Sequence, residues 1–596
     1  MTATLNIIAD PRINRKEFAH RYSVWLSKCE DYASREVLCE VLSHVDGVLS
    51  IKNEYGESDI HILAVADLSV KKRMDVAVKR DEVADAVFTV VPELLCDVED
   101  QLLIQLLLNA MARHDIDEAS NISGEFYRVN ELIKNRSGRL NEIITLKISV
   151  FNTSASNGGE AVAIKCGVAT FTNTRLFKKE DMPRRNLPRY ALEDSRLIKI
   201  RGKYDGETFI RRKPRSTTRN TVPLLDFGDD DELRRSKATV IMNIISSFNR
   251  RYAGIADLTL AEVPVETFQI TDSLSAYRDR AKKIVCDVPL TVIDCVGNAN
   301  ALQKLEEGLN AGEYIFTVTN QKTLDSKIIR IVRPADSYKE GKSDPYRADD
   351  IMAVQHVTDE VLIKTKNPSV LADSLVEQLA IKSDVANGKI SLYDWSAFSG
   401  EGVYSFALPV KTEERLEDVA VMEIRPDGFT TYALHSYEDD DCPEWIREIS
   451  SDDMEWAVRH PDGRCMRVSR TDIIAIPDAK GVKTTIDYNK ANCIRERTKT
   501  IKSKEGHLDE YFVECTDINL IPGTDTSMLY YVGVRERDLK MKVQNASNVY
   551  AVDGPDGLFM DRMIPLMDVP FVRHAQYTVT PFPVKYLREF VLTRTR

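Results

Sequence analysis

The stretch SYKEGKSDPYRADDIMAVQ, residues 337–355, sets Tyr338 and Lys342 four residues apart and ends on Gln355, with Lys382 a further 27 residues on. On a helical turn Tyr338 and Lys342 share one face and present a hydroxyl and an ammonium together. Gln355 sits in MAVQHV, which reads as a short strand. Lys382 is expected at the end of a helix opened by Asn367 and Pro368, an N-cap followed by a first-position proline. Leu371, Leu375 and Leu379 form that helix's apolar stripe, and Lys382 continues it. A lysine on an apolar stripe either meets an anion or snorkels its charge to water at the helix end. At the level of single residues both readings stand.

Around this stretch the pattern is strand, helix, strand. PLTVIDCVG is a buried strand, NANALQKLEEGLNAG a helix closed by glycine, and EYIFTVT and KIIRIVR are strands. The unit is α/β with a parallel sheet. Before it, a helix is expected over 16–49, a strongly apolar helix over 98–114, strands through 145–220, and an amphipathic helix near 235–252. After Trp395 come further strands, among them VYSFALPV, DVAVMEI, FTTYALHS, DIIAIP and MLYYVGV, and the chain closes with YTVTPFPVKYLREFVLTRTR.

With 596 residues the chain exceeds a single core, and 43% hydrophobic with 29% charged residues is ordinary for a globular protein. No apolar run reaches the ~18 residues a membrane span needs, and the N-terminus lacks a secretory pattern, so a cytoplasmic protein is expected. The ten cysteines include no CxxC pair, which argues against a disulfide framework or structural zinc. GxxxxGK[ST] and GxSxG are both missing, arguing against a P-loop NTPase or a serine hydrolase.

The net charge of −12 conceals local basic runs. Residues 175–219 hold 15 Arg and Lys against 6 Asp and Glu, and 483–504 hold seven against two. Local basic segments are what meet phosphates. Arg211, Arg212, Lys213, Arg215, Arg495, Arg497 and Lys499 are the expected backbone contacts, with a solvated surface as the other reading. Phe177, Tyr190, Tyr204 and Phe209, interleaved with the first run, favour a strand-binding channel. The segment 436–455 is the opposite, with nine acids and one arginine. Trp445 and Trp456 at its edges make it an expected docking site for a protein partner, against a plain solvated loop.

Tyr338, Lys342, Gln355 and Lys382 together resemble the guide 5′-phosphate pocket of Argonaute MID domains, in the right kind of α/β unit. DEYFVECTDINLIPGTDTSMLYYVGV and YTVTPFPVKYLREFV are similar to stretches of the PIWI domain, so the resemblance covers roughly 285–596. It implies an α/β multidomain, Argonaute-like protein with N-terminal and linker regions, a Rossmann-like MID domain and an RNase H-like PIWI domain. The expected boundaries are 1–145 for an N-terminal α+β domain and 146–284 for a strand-rich linker with PAZ absent or reduced. MID follows over 285–398 and a degenerate PIWI domain over 399–596.

Active PIWI domains hold two metal ions on four carboxylate or histidine positions. Here Glu423, Asp427 and Asp462 are the only candidates, each with a turn or surface carboxylate as the plainer reading, and the final ligand has no counterpart before Arg596. The resemblance is closest to the catalytically inactive, DdmE-type Argonautes of plasmid defence. It implies a 5′-phosphorylated guide, DNA favoured over RNA, Mg2+ at the guide 5′-phosphate, no organic cofactor, and a helicase–nuclease effector recruited to invading plasmid or phage DNA. The alternatives are a metal-dependent guided nuclease and an unrelated multidomain binding protein.

Overall fold

Burial of the apolar stripes read above divides the chain into two compact units in a computed structural model. One comprises Met1–Val265, Asp472–Cys515 and Val534–Asn545, and the other Glu266–Thr471, Thr516–Gly533 and Ala546–Arg596. The structure describes residues 2–9, 11–29, 32–53, 59–81, 88–90, 98–154, 160–177, 187–200, 202–211, 222–226, 230–268, 290–319, 327–334, 337–338, 353–400, 402–411, 416–437, 440–477, 518–532, 540–541, 545–569 and 579–594. Among them no helix is long and apolar enough to cross a membrane.

In the first unit, a four-stranded antiparallel sheet runs in the order Val48–Asn53, Asp59–Val65, Tyr22–Lys28, Phe88–Val90. The helix expected over 16–49 is therefore two helices, Arg15–Arg21 and Tyr32–Ser43, separated by a strand. The reason lies in YSVWLSK, where Val24 and Trp25 favour a pleated strand and the neighbouring strand supplies the pairing. The apolar helix Asp100–His114 forms as expected and packs on the long strands Glu125–Lys134, Leu140–Ser154 and Glu160–Asn173. A boundary at 145 would cut the Leu140–Ser154 strand, which pairs with both of its neighbours, so residues on either side of 145 share one sheet.

One face of that helix is polar yet buried. Gln105 donates to Asn109 Oδ1 (2.9 Å) and accepts from the Val150 N–H, while Asn109 donates to the carbonyls of Ile51 (2.8 Å) and Gly124 (3.0 Å). Gly124 has φ +82°, and a Cβ there would lie 2.4 Å from the backbone nitrogen of Asn53, so only glycine admits this approach. Arg113 continues the stripe and donates to the carbonyl of Val48 (3.1 Å).

In the second unit, four parallel strands lie in the order Phe316–Val318, Leu290–Asp294, Ile328–Val332, Val354–Thr358. The strands Leu290–Asp294 and Ile328–Val332 are almost wholly buried, as in a parallel sheet covered on both faces, with Thr291 and Arg330 among the buried residues. The helices Ala299–Ala311 and Pro368–Asn387 pack on it, and the second runs five residues beyond Lys382 before Gly388 caps it in the left-handed conformation. Lys382 is thus inside the helix rather than at its end.

The same unit contains an antiparallel meander in the order Thr430–Ser436, Leu416–Ile424, Tyr404–Lys411, Met454–Arg459, and residues 465–471 of the strand Cys465–Pro477. The C-terminal helix Phe582–Arg594 joins a core shared with the parallel sheet, in which Trp395, Tyr404, Trp456 and Tyr586 are buried. The expected division at 398/399 therefore runs through one hydrophobic core. The protein is α/β and multidomain.

Candidate nucleic-acid interface

Helix Pro368–Asn387 turns Lys382 toward the start of the strand Val354–Thr358. Its ammonium donates to the carbonyl of Val354 (2.8 Å), the residue before Gln355. It also lies 3.9 Å from the carboxylate of Glu589 on the C-terminal helix, with both side chains largely buried. Of the two readings open in the sequence, the inward lysine facing an anion is the one found, and the anion is the chain's own Glu589. Lys585 approaches the same carboxylate at 3.6 Å. Gln355 is half-buried and donates to the carbonyl of His356 (3.2 Å).

Tyr338 lies elsewhere. Its hydroxyl accepts from the Arg333 N–H (3.0 Å), just past the end of the strand Ile328–Val332. Gln355 pairs in register with Ile329, four residues before Arg333. That separation is about 13 Å along the strand. Lys382 and Gln355 therefore gather at one end of the sheet and the Tyr338 hydroxyl at the other. Lys342 lies outside the described residues.

Mg2+ at the Lys382 end would need several oxygen ligands in octahedral array. The described groups there are the Glu589 carboxylate, approached by two lysines, the Val354 carbonyl, which already accepts from an ammonium, and the single neutral amide of Gln355. This donor set does not fit a protein-held Mg2+. Oligonucleotide binding is accordingly expected to persist in EDTA, measured by titration of the full chain with and without chelator; a tenfold loss would sink that expectation.

The basic runs are only partly described. Arg211 forms an ion pair with Glu125 (3.0 Å), donates to the Tyr127 hydroxyl (2.7 Å) and stacks on its ring at 5.5 Å. Lys147 also pairs with Glu125, whose carboxyl is lowered because these cations and Tyr127 outweigh the effect of burial. Arg211 thus already has a counter-charge. Replacing Arg211 by Gln is expected to leave the salt dependence of oligonucleotide affinity unchanged, because no counterion is released at a cation already paired within the protein. A slope reduced by about one would show the guanidinium on a phosphate instead. Arg212, Lys213, Arg215, Arg495, Arg497 and Lys499 lie outside the described residues.

Two of the four interleaved aromatics, Tyr190 and Phe209, have a different role from the one expected. Tyr190 and Phe209 are buried in a small core with Phe171, Leu197 and Ile143, and Tyr190 meets Phe171 edge-on at 4.9 Å. Neither ring can stack a base. Their strands alternate, and these positions fall on the inner face. Tyr204 donates its hydroxyl to Glu193 (3.0 Å).

The three carboxylates considered for metals are separate. Glu423 is an exposed strand residue that accepts from the Thr431 hydroxyl at 3.5 Å. Asp427 closes the 425–429 turn by accepting from the Phe429 N–H (3.2 Å) and pairs with Arg425 (3.4 Å). Asp462 closes the 460–464 turn, accepting from the Arg464 N–H (3.0 Å) and guanidinium (2.8 Å), with His460 Nδ1 also at 2.8 Å. The strand order sets the two turns three inter-strand spacings apart, about 14 Å. A metal pair needs its ligands within reach of two ions about 4 Å apart. Among the described residues no group of three or more His, Cys, Asp and Glu side chains is arranged to hold a metal.

Slight burial works to raise the Asp462 carboxyl, but the Arg464 N–H, His460 and the Arg464 guanidinium prevail and hold it at about 2. A carboxyl lowered on folding stabilises above its unfolded value near 4, and that contribution is lost as pH falls toward 2. Protection of the Arg464 amide, its exchange rate relative to that of an unstructured amide at the same pH, is expected to fall between about pH 4 and 2, and not in Asp462→Asn. Equal pH dependence in both proteins would refute this.

The acidic segment also differs from expectation. Trp445 is 8% exposed and Trp456 fully buried, and helix Glu444–Ile449 anchors in a core with Cys442, Ile446 and Ile449. The tryptophans hold the segment to its own unit and are not available as docking anchors. The interaction most difficult to foresee is Asp384, whose Oδ2 accepts from the Tyr586 hydroxyl (2.7 Å) and from the N–H groups of Ser391 (2.8 Å) and Leu392 (3.3 Å). It ties the helix carrying Lys382 to the helix carrying Glu589. Its only sequence signal is an acid two residues past a lysine, which any solvated helix face supplies.

No protein-family model and no curated protein matches the sequence. Among solved structures, Marinitoga piezophila Argonaute in complex with a 5′ OH guide RNA is similar at 9% identity, covering 98% of this chain and 97% of that one with a TM-score of 0.40. Clostridium butyricum Argonaute bound to a guide DNA and a 19-mer target DNA gives 8% identity, 99% and 98% coverage and a TM-score of 0.40. Aquifex aeolicus Argonaute gives 9%, 99%, 97% and 0.35.

Proposed function

We propose that this protein binds a 5′-phosphorylated guide strand, DNA in preference to RNA, and uses it to find complementary invading plasmid or phage DNA. The observation that supports the reading is the Lys382 ammonium on the carbonyl of Val354, the residue next to Gln355, at one end of a parallel α/β sheet; these are two of the four residues in the opening motif. Lysine supplies a point charge and glutamine a directional donor, the combination a terminal phosphate takes. Sequencing of nucleic acid that co-purifies with the protein tests it. Short 5′-phosphorylated DNA is the expected result, and recovery of none, or of 5′-hydroxyl strands, counts against it.

The output we propose is recruitment of a helicase–nuclease effector rather than cleavage. Glu423, Asp427 and Asp462 are each engaged in local strand or turn bonds, and the two turns stand too far apart for their carboxylates to share one pair of cations. In-line hydrolysis then lacks its electrostatic clamp. Purified protein with a phosphorylated guide, a matched target and Mg2+ or Mn2+ is expected to leave the target intact. Guided cutting that Glu423→Gln or Asp462→Asn abolishes would restore the nuclease reading.

A further inference from the structure

The first unit carries a half-open pocket of about 230 Å³ between helix Tyr32–Ser43, the strands Val48–Asn53, Ala119–Ile122 and Arg196–Ile200, and the end of helix Asp100–His114. Two guanidiniums line it. Arg196 is held from behind by the carbonyls of Arg113 (2.6 Å) and Ile116 (3.2 Å), and Arg113 by the carbonyl of Val48 (3.1 Å). Neither has a carboxylate partner among the described residues. Burial lowers the pKa of Arg113 with nothing to offset it.

The remaining charges are accounted for. Lys199, also on the wall, pairs with Glu36 (2.5 Å) and lies 3.9 Å from Glu40, and Ser123 bridges Glu36 and Lys199. The charged side chains on the wall are thus Arg113, Arg196, Lys199 and Glu40, and of these Lys199 is the cation that Glu36 and Glu40 approach. His44 stands exposed on the rim. Ser120 lines the same space, is 9% exposed, and its hydroxyl has no hydrogen-bond partner among the described residues. A buried hydroxyl without a partner costs free energy that a bound acceptor would recover.

We propose that this pocket is a binding site for a phosphate monoester, with Arg113 and Arg196 supplying the charge and Ser120 a hydroxyl donor. Guanidinium forks match the planar array of phosphate oxygens, and both are set in place by backbone carbonyls before any ligand arrives. The volume falls below the ~300 Å³ at which drug-sized pockets begin, which suits a phosphoryl group with a small attached portion rather than a large cofactor. The phosphate could belong to a free nucleotide or to the end of an oligonucleotide. The site is independent of the guide pocket proposed above, whose residues lie in the other unit.

Calorimetric titration of the full chain with inorganic phosphate, deoxyadenosine monophosphate and deoxyadenosine tests the assignment. The two phosphates are expected to bind and the nucleoside not to. Arg113→Gln is expected to weaken deoxyadenosine monophosphate about tenfold or more, and Ser120→Ala, which removes one neutral donor without disturbing the fold, about fivefold. Lys382→Gln disables the guide pocket proposed above, so the titrations are run in that background, where competition by a 5′-phosphorylated oligonucleotide, or its failure, distinguishes the strand end from the free nucleotide. Absence of binding in that background, or affinity unaltered by both Arg113→Gln and Ser120→Ala, would overturn the proposal.

Discussion

Replacing Asp384 by alanine is expected to destabilise the second unit by about 3 kcal/mol or more, the largest single effect foreseen for this protein. Asp384 is 1% exposed, and its Oδ2 accepts from the Tyr586 hydroxyl and two backbone N–H groups. Each buried donor left without an acceptor costs about 1–3 kcal/mol, and Tyr586 is itself fully buried, so water cannot substitute. A fall in the urea midpoint at unchanged slope is the expected observation, and an unchanged midpoint would show that the bonds contribute little.

Protonation gives Asp384 a second signature. Burial raises its carboxyl, and the bonds from Ser391, Tyr586 and Leu392 oppose that shift without cancelling it. A group raised on folding contributes stability that is full below the unfolded carboxyl value, near 4, and is lost as pH rises through the folded value. Asp384→Asn, which cannot ionise, is expected to flatten that part of the pH profile. Its sign is opposite to that of Asp462.

The second large effect concerns the guide. Lys382→Gln is expected to weaken binding of a 5′-phosphorylated oligonucleotide by about 1.5–3 kcal/mol, the range of a charge-assisted hydrogen bond. Binding of the 5′-hydroxyl strand should not change. Glu589→Gln is expected to do the reverse, because Glu589 lies 3.9 Å from the ammonium and competes with any phosphate. If 5′-phosphate and 5′-hydroxyl strands bind the wild-type protein equally well, the pocket is misassigned. If only the Glu589→Gln result fails, the carboxylate moves aside on binding and the pocket stands.

The elements that sequence alone determined are those whose signals are local. VEDQLLIQLLLNAMARH makes a helix at Asp100–His114, and Asn367–Pro368 opens the helix Pro368–Asn387. The apolar runs at 290–294 and 328–332 announce a sheet covered on both faces, because such strands leave no solvated side. Tertiary structure decided what each side chain faces. YSVWLSK is a strand because Asp59–Val65 pairs with it, against the helical reading of its surroundings. Tyr190, Phe209, Trp445 and Trp456 look like ligand or partner contacts in the sequence and are core in the fold. Arg211 reads as a phosphate contact until Glu125, 86 residues away, is brought to 3.0 Å. Arg113, Ser120 and Arg196 carry no motif and meet only because a helix end and two strands line one pocket. Periodicity and capping depend on neighbours within a turn or two. Burial and charge compensation depend on residues far along the chain, and those pairings exist only once it has folded.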